Sequence, residues 1–366
     1  MSLLKKIMQM LCTVGSFFFL FTAEGVASDK SVVWQDVIPD YKSAKVEIAK
    51  NGPTLIFSDS PELVNENGIM YRDTVSGNVR VFFHHVNNTK SEQRIAVVLK
   101  NVNEYPAKIT FGRRGISSPE LDYFKAGKQV QIEYLLEAKQ ELAVLTKQSL
   151  KEIITGTGII VAPEELVTGM FEFTTFKPIE VITIMYPVDM KLEDAIAKYQ
   201  VLPPDPGTVL RGTFKEANRI VTLKQPIDVD DGLVKGILLA DDNEDRYARG
   251  IDATTGKQVV NYGNYGVVYD FRFDVVGKNN FNIRLNPWGG LFAGAGIILK
   301  EGKEHMRLFP EKDTAFGQTG REAIVIETAK APFQGTLIFS PPGTSNLPVR
   351  IFFEPKEKSF LGKFKK

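Results

Sequence analysis

The sequence has almost no cysteine and little histidine. Its only cysteine, Cys12, lies in an apolar N-terminal segment, and the 366 residues contain three histidines. If that segment is removed, no disulfide, thiol nucleophile or thiolate metal site remains. The rest of the chain must then be held together by the burial of an apolar core.

The chain also lacks an excess of charge of either sign. It has 45 Lys and Arg against 44 Asp and Glu, a formal net charge of +1. This balance gives no sequence-wide field that attracts nucleic acid or anionic membranes, so neither is expected as a partner. The exception is a basic tail at residues 356–366, which is predicted to be a solubilising terminus, with contact to an anionic surface as the alternative.

The apolar stretch near the N-terminus is too short for a comfortable membrane span of about 20 apolar residues, with an uncleaved anchor as the alternative. Lys5 and Lys6 precede an apolar stretch from Ile7 to Phe21, and small residues follow to Ala27 or Ser28. This layout predicts a secretory signal peptide at residues 1–28. The mature protein is therefore expected in the periplasm, in the cell envelope or outside the cell, with no transmembrane span.

The residues that follow are typical of β structure. Short runs rich in Val, Ile, Phe, Tyr and Thr alternate with Gly, Asn, Asp and Pro. Three runs, at 78–86, 93–102 and 105–114, are separated by short polar loops and predict an antiparallel meander. The strand, polar corner and second strand within 96–111 are typical of an immunoglobulin-like sandwich.

One segment has helical spacing. Ser118 followed by Pro119 predicts an N-cap and a first helical residue, and the pattern favours a helix at about 118–139. Gly127 inside it predicts a bend or a close contact. We therefore expect a β-sandwich domain at 29–200 with one inserted helix.

Proline marks the best domain boundary. Residues 199–208 contain three prolines and a glycine, which exclude a helix or a central strand. The sequence predicts a linker at 201–208 and a second domain at 209–355. Nine or so short strands in that second half favour another β-sandwich-like or barrel-like domain, so the fold class is mainly β.

A tyrosine that follows an asparagine, Tyr265, raises the question of a quinone cofactor. Enzymes that build one resemble each other in an Asn-Tyr followed by an acidic residue and in three histidines on one copper. Here Gly266 follows Tyr265. His84 and His85 are adjacent, so on a strand they point to opposite faces, and His305 is more than 200 positions away. A redox copper site is not expected.

Several stretches carry a resemblance to a known group of proteins. They are "FFHHVN" to "VLKNVNEYPAKITFGRRG" (82–115), "RGTF" (211–214), "GNYGVVY" (263–269), "LNPWGGLFAGA" (285–295) and "PPGTSNLPVRI" (341–351). The sequence resembles exported bacterial envelope proteins often named "copper amine oxidase", many of which carry a stalk-like domain once assigned to those enzymes. The resemblance covers most of the mature chain and implies an envelope protein of unknown biochemical role. It brings no oxidase site, because no catalytic motif is present.

Other catalytic motifs are missing as well. No Gly-x-Ser-x-Gly or phosphate-binding loop occurs, so no catalytic residue is assigned. Acidic residues cluster at 228–232 and 241–245 in turn-like settings. Asp228, Asp230 and Asp231 partly match a calcium loop, with a hydrophilic turn as the alternative. No cofactor is expected, with calcium as the one alternative that the sequence leaves open.

Exposed aromatic residues are the remaining binding candidates. Trp288 in "NPWGG", Tyr262 and Tyr265 are candidates for stacking on sugar rings, with packing against the protein core as the alternative. The sequence favours an exported, non-catalytic binding, adhesion or scaffold module whose partner is an envelope glycan or protein. The rival hypothesis is a hydrolase that cleaves a polysaccharide or peptidoglycan with paired carboxylates, which requires acidic side chains from different strands to converge in one cleft.

Overall fold

A computed structural model of the protein describes residues 32–34, 40–136, 140–312 and 315–356. The signal peptide predicted at 1–28 and most of the basic tail lie outside the described residues. Among the described residues, strand predominates, with 25 strands and two helices. The prediction of a mainly β protein is confirmed.

The first half of the chain contains both helices. Its elements are β1 Val32–Trp34, β2 Tyr41–Ser43, β3 Val46–Asn51, β4 Thr54–Ser58, β5 Leu63–Val64, β6 Gly68–Asn87, β7 Gln93–Asn101, β8 Ala107–Ile116, α1 Tyr123–Leu136, β9 Glu141–Leu145, β10 Leu150–Glu152, β11 Ile159–Val161, β12 Leu166–Pro187 and α2 Leu192–Lys198.

The second half contains strands only, among the residues described. They are β13 Arg211–Phe214, β14 Asn218–Leu223, β15 Ile227–Asp228, β16 Val234–Leu239, β17 Ala248–Asp252, β18 Lys257–Asn261, β19 Val268–Val276, β20 Asn280–Asn286, β21 Gly294–Lys300, β22 Lys303–Phe309, β23 Glu322–Lys330, β24 Phe333–Phe339 and β25 Val349–Pro355.

Two of the three sheets form a β-sandwich. One has six strands in the order β1-β23-β20-β25-β16-β2, and the other has seven, in the order β22-β21-β24-β19-β14-β3 with β15 beside β19. Buried and exposed residues alternate along β19, so one of its faces packs into the core of the sandwich. Phe271 and Phe273 are buried, whereas Arg272 between them is exposed. Phe273 meets Phe353 of the opposite sheet edge-to-face at 5.4 Å. A fully buried Phe of this kind stabilises the fold by about 1.5–3 kcal/mol.

The third sheet, called here the large sheet, has 12 strands. Its main path is β10-β7-β12-β6-β4-β13-β17-β18, with β11 beside β7, β5 beside β6, β8 beside β12 and β9 beside β8. The predicted meander is wrong, because β12 lies between β6 and β7. With 22 residues, β12 is long enough to pair with β8 through one part and with β7 through another.

Helix α1 is present but shorter than the sequence predicts. It starts at Tyr123, and the Lys125 amide donates to Asp122 Oδ1 at 3.1 Å, so Asp122 is the capping residue rather than Ser118. Before the helix, Glu120 forms a β-bridge with Leu166. The close contact predicted at Gly127 is confirmed, since a Cβ there would lie 2.6 Å from Thr344 Oγ1.

Helix α2 was missed from the sequence. It has seven residues, and only Leu192 and Ala195 are buried. Two apolar contacts within two turns do not establish a helical period. The helix packs against the large sheet beside Ile184 and Ala96.

The sheets do not divide at the predicted linker. Strands β2 and β3, near the N-terminus, pair with β16 and β14 of the second half. Conversely, β13 of the second half pairs with β4 and joins the large sheet. The division into domains at 201–208 stays a prediction, but each half of the chain contributes strands to the sheets of the other.

Candidate functional site

A cavity of about 440 Å³ lies where residues from the seven-stranded sheet and the large sheet meet. It is lined by Lys50, Lys215, Glu216, Arg219, Arg246, Tyr247, Ala248 and Arg249. Five of these eight residues are Lys or Arg and one is acidic, so we call it the basic cavity. Its volume falls in the range of about 300–1,000 Å³ that is usual for small-ligand pockets.

Like charges face each other across two strand pairs at this cavity. Lys50 in β3 is the register partner of Arg219 in β14. The register of β13 and β17 pairs Phe214 with Gly250, so Lys215 and Arg249 follow one position further along. Like charges directly opposite each other are destabilising. The fold therefore tolerates an electrostatic cost at this position.

Arg219 is the buried member of the cavity wall, with 1% of its surface exposed. Its Nη1 donates to the carbonyls of Glu216 and Asn218, both at 3.1 Å. Its Nε lies 3.6 Å from Asp245 Oδ1 and has no hydrogen-bond partner among the described residues. The guanidinium group is thus held mainly by backbone carbonyls, with one carboxylate beyond hydrogen-bond distance.

The acidic residues near the cavity are engaged mainly with their own loop, although Asp245 also forms an ion pair with Arg219. Tyr269 donates to Asp245 Oδ2 at 2.5 Å, and the Ala240 amide donates to the same oxygen at 2.7 Å. Burial raises the pKa of Asp245, while Tyr269, Ala240 and Arg219 act to lower it. Asp242 Oδ1 accepts the Tyr247 amide at 3.0 Å. The acidic cluster at 241–245 therefore holds its own loop in place.

Three cations of the basic cavity are solvent-exposed and lack a counterion. Lys50, Lys215 and Arg249 have no carboxylate within ion-pair distance among the residues that the structure describes. Arg246 donates to the backbone carbonyl of Asp242 at 2.6 Å. Glu216 supplies the one negative side chain in the wall and Asp245 is paired with Arg219, so the exposed cations leave an excess of positive charge.

An aromatic pair borders the basic cavity. Tyr247 lines it, and Tyr262 meets Tyr247 edge-to-face at 5.8 Å between ring centroids. The Tyr262 residue is 49% exposed. Of the three predicted stacking residues, Tyr262 is the one that lies beside this cavity.

The other two stacking candidates have different surroundings. Trp288 is 47% exposed, but the Arg350 guanidinium lies 3.4 Å from its ring centroid and covers one face. Tyr265 is partly buried, with its ring 6.3 Å from that of Phe57, and its hydroxyl donates to the Ser345 carbonyl at 2.9 Å. Burial raises the pKa of Tyr265, as do the charges of Asp59 and Glu62.

Carboxylates from distant parts of the chain converge at a second place, the acidic cluster of Asp59, Glu62 and Asp205. The Glu62 amide donates to Asp205 Oδ2 at 2.9 Å. Burial raises the pKa of Asp59 well above its ordinary value, followed by the charges of Glu62 and Asp205. Burial and then Asp205 raise the pKa of Glu62 to about 7. Yet 49% of the Glu62 side chain is exposed, so solvent moderates this shift.

The two adjacent histidines have different partners. His84 Nε2 lies 4.0 Å from Glu62 Oε1, and burial lowers the pKa of His84 to about 3. His85 is neutral because burial lowers its pKa to about 4. Its Nδ1–H donates to the Pro61 carbonyl, and its Nε2 accepts from the Ser58 hydroxyl, both at 2.9 Å. Ser58 and His85 are both fully buried, which makes this pair part of the core.

The calcium candidates lie around strand β15 and the turn after it. Asp228 Oδ1 accepts the Asp230 amide, and Asp230 accepts the amides of Lys278 and Asn279. Asp231 forms an ion pair with Lys235. No group of three or more His, Cys, Asp or Glu among the described residues is arranged to hold a metal ion. Calcium binding here stays a prediction.

Neither the basic cavity nor the acidic cluster is predicted from the sequence. The lining of the basic cavity is spread from Lys50 to Arg249, and the acidic cluster joins Asp59 to Asp205. No short motif contains either set. Only Tyr262 and the acidic stretch at 241–245 were singled out from the sequence.

Comparisons with known proteins find no match among family models or curated proteins. Among solved structures, an oxalate decarboxylase from Lactobacillus farciminis in complex with formate is 10% identical, with 84% of this chain and 87% of that chain covered and a TM-score of 0.18. Vicilin from tomato is 8% identical, with 83% and 86% covered and a TM-score of 0.12. At such TM-scores, neither fold nor function is inferred from them. No helix among the described residues has the length and apolar character needed to span a bilayer.

Proposed function

We propose that the protein is an exported, non-catalytic binding module of the cell envelope that recognises a glycan at the tyrosine pair beside the basic cavity. The supporting observation is the exposed ring of Tyr262, which lies against Tyr247 at the edge of a ligand-sized cavity. Aromatic rings with one apolar face in solvent and a polar tip suit sugar rings, which have both apolar and hydroxyl surfaces. Export follows from the predicted signal peptide at 1–28.

A glycan-array screen on residues 29–366 tests this proposal, followed by titration of the best ligand. Replacing Tyr262 by Ala should weaken binding about twofold to twelvefold, which corresponds to the roughly 0.5–1.5 kcal/mol of an aromatic contact. Tyr105 is 70% exposed and lies between β7 and β8, so Tyr105→Ala is the matched control. An array without any binding, or equal losses in the two variants, would contradict the proposal.

The acidic cluster supports a second candidate function, a hydrolase that cleaves a polysaccharide or peptidoglycan. Carboxylates from separate segments converge there, and the Glu62 pKa near 7 suits a general acid. Release of reducing ends from purified peptidoglycan and soluble polysaccharides tests it. If Glu62→Gln leaves the release of reducing ends unchanged, or if the native protein releases none, this candidate is wrong.

A further inference from the structure

We infer that the basic cavity binds the anionic groups of the glycan, so that the ligand is a saccharide bearing sulfate, phosphate or carboxylate groups. This inference rests on the proposed glycan-binding function and adds the chemical class of the ligand. It is drawn from the like-charge pairs, the buried arginine and the three exposed cations of the cavity wall that have no ion-pair partner among the described residues.

The like-charge pairs come from two different sheets. Lys50 and Arg219 face each other on β3 and β14, while Lys215 and Arg249 extend the register of β13 and β17. Each arrangement costs free energy through repulsion between neighbouring cations, which Asp245 offsets in part at Arg219. A bound anion between the two pairs offsets this repulsion at both.

Arg219 distinguishes the cavity from a group of surface lysines. It is 99% buried, and its orientation is fixed by two backbone carbonyls. Its Nε has no hydrogen-bond partner among the described residues, and its ion pair with Asp245 is long, at 3.6 Å. A guanidinium that is already ordered loses little conformational entropy when it binds an oxyanion. Sulfate, phosphate and carboxylate all supply oxygens that match this donor geometry.

Of the acidic groups beside the wall, Asp245 is paired with Arg219, and among the described residues none is within ion-pair distance of Lys50, Lys215 or Arg249. Asp245 is held by Tyr269 and Ala240, and the Asp242 carboxylate is held by the Tyr247 amide. The aromatic pair and the cations therefore border one space, with a surface for a sugar ring on one side and positive charge on the other. An uncharged saccharide would use only the first of these.

Dextran and dextran sulfate, which share a backbone, test the inference by titration with the full mature chain. Native protein should bind dextran sulfate at least about tenfold more tightly than dextran, and added salt should weaken this preference because it screens exposed charges. Polygalacturonate and a phosphomannan, run in parallel, distinguish carboxylate and phosphate from sulfate as the preferred anion.

The triple variant K50Q/K215Q/R249Q should lose this preference, with a fall of about tenfold in affinity for dextran sulfate, as expected when several exposed charge contacts are lost together. Its control is K90Q/K108Q/K191Q, which removes the same charge from three exposed lysines that do not line the cavity. The control should bind like the native protein. Inorganic sulfate alone should compete with dextran sulfate.

The outcomes separate this inference from the proposed function. If dextran binds as tightly as dextran sulfate and Tyr262→Ala weakens both, the glycan function stands and the anionic class is wrong. If the triple variant K50Q/K215Q/R249Q and its control bind dextran sulfate equally well, the basic cavity is not the anion site. If none of the four polymers binds but the glycan array shows a ligand, the inference fails and the function stands; if the array shows none either, both fail.

Discussion

Ser60 and Asp205 are joined by two hydrogen bonds across 145 positions of the chain. The Ser60 hydroxyl donates to Asp205 Oδ2 at 3.1 Å, and the Asp205 amide donates to Ser60 Oγ at 2.8 Å. Asp205 belongs to the proline-rich segment that the sequence predicts to be a linker. This contact, and that of the Leu202 amide with the Ile69 carbonyl at 2.8 Å, fix the segment onto the large sheet.

We predict that Ser60→Ala lowers the free energy of unfolding by about 1–3 kcal/mol, because it leaves the part-buried Asp205 amide without its partner and removes one of the two hydrogen bonds to Asp205 Oδ2. Urea denaturation measures the change. Ser76→Ala is the control, since Ser76 is exposed and its hydroxyl has no hydrogen bond among the described residues. If both variants unfold at the same urea concentration as the native protein, the segment is not held by Ser60.

The acidic cluster predicts a pH dependence of stability. The pKa of Glu62 is raised from 4.5 to about 7, so between these values the folded protein holds the proton more tightly than the unfolded chain. Glu62 therefore lowers stability as pH rises through this interval. His85 acts in the opposite direction, because its pKa falls from 6.5 to about 4, and stability rises between those values.

Glu62→Gln removes the first of these contributions, so the free energy of unfolding of the variant should rise more steeply from pH 4.5 to 7 than that of the native protein. Because 49% of the Glu62 side chain is exposed, the difference should be smaller than the full pKa shift would give. Urea denaturation at half-unit pH intervals provides the measurement. Glu66→Gln, at an exposed position nearby, should follow the native curve. Parallel curves for all three proteins would contradict this account of the cluster.

Arg211 is a second buried arginine, and its role is structural. It donates to Asp252 Oδ2 at 3.1 Å, to the hydroxyl of Thr254, and to the carbonyls of three residues, namely Ser60, Met70 and Leu202. Replacement by Met should cost about 3–5 kcal/mol, since it leaves the buried Asp252 carboxylate unpaired.

Chemical denaturation of Arg211→Met checks this expectation. Arg272→Met is the matched control, because Arg272 forms a comparable pair with Asp270 while 54% of its side chain is exposed, so its loss should cost at most about 1 kcal/mol. Similar losses in the two variants would mean that burial does not determine the contribution of Arg211.

Gly343 lies where the loop before β25 approaches His84. A Cβ at this position would lie 2.7 Å from His84 Nδ1 and 3.0 Å from Phe82 Cζ. We predict that Gly343→Ala destabilises the protein by about 1–3 kcal/mol through overpacking. A thermal melt compares it with Gly112→Ala, whose Cβ would meet no atom closer than 3.6 Å. An unchanged midpoint for Gly343→Ala would show that the loop can move away freely.

The sequence by itself determined the mainly β class, because alternating burial is a local property. In β19 the aromatic residues at 269, 271 and 273 are buried and Arg272 is exposed, as a period of two requires. The helix near residue 123 and the close contact at Gly127 were also predicted from local patterns. The N-cap of helix α1 was predicted at Ser118 and is at Asp122. Both residues are typical N-caps, and they lie only four positions apart.

Only the tertiary structure decided the strand order, the basic cavity and the acidic cluster. Nothing local shows that β12 lies between β6 and β7, or that β3 pairs with β14 and places Lys50 opposite Arg219. Such pairings depend on which apolar faces can be buried together once the whole chain is present. These strand pairings bring the charged residues of the basic cavity together. In the sequence the same residues are far apart, and their spacing forms no recognisable motif.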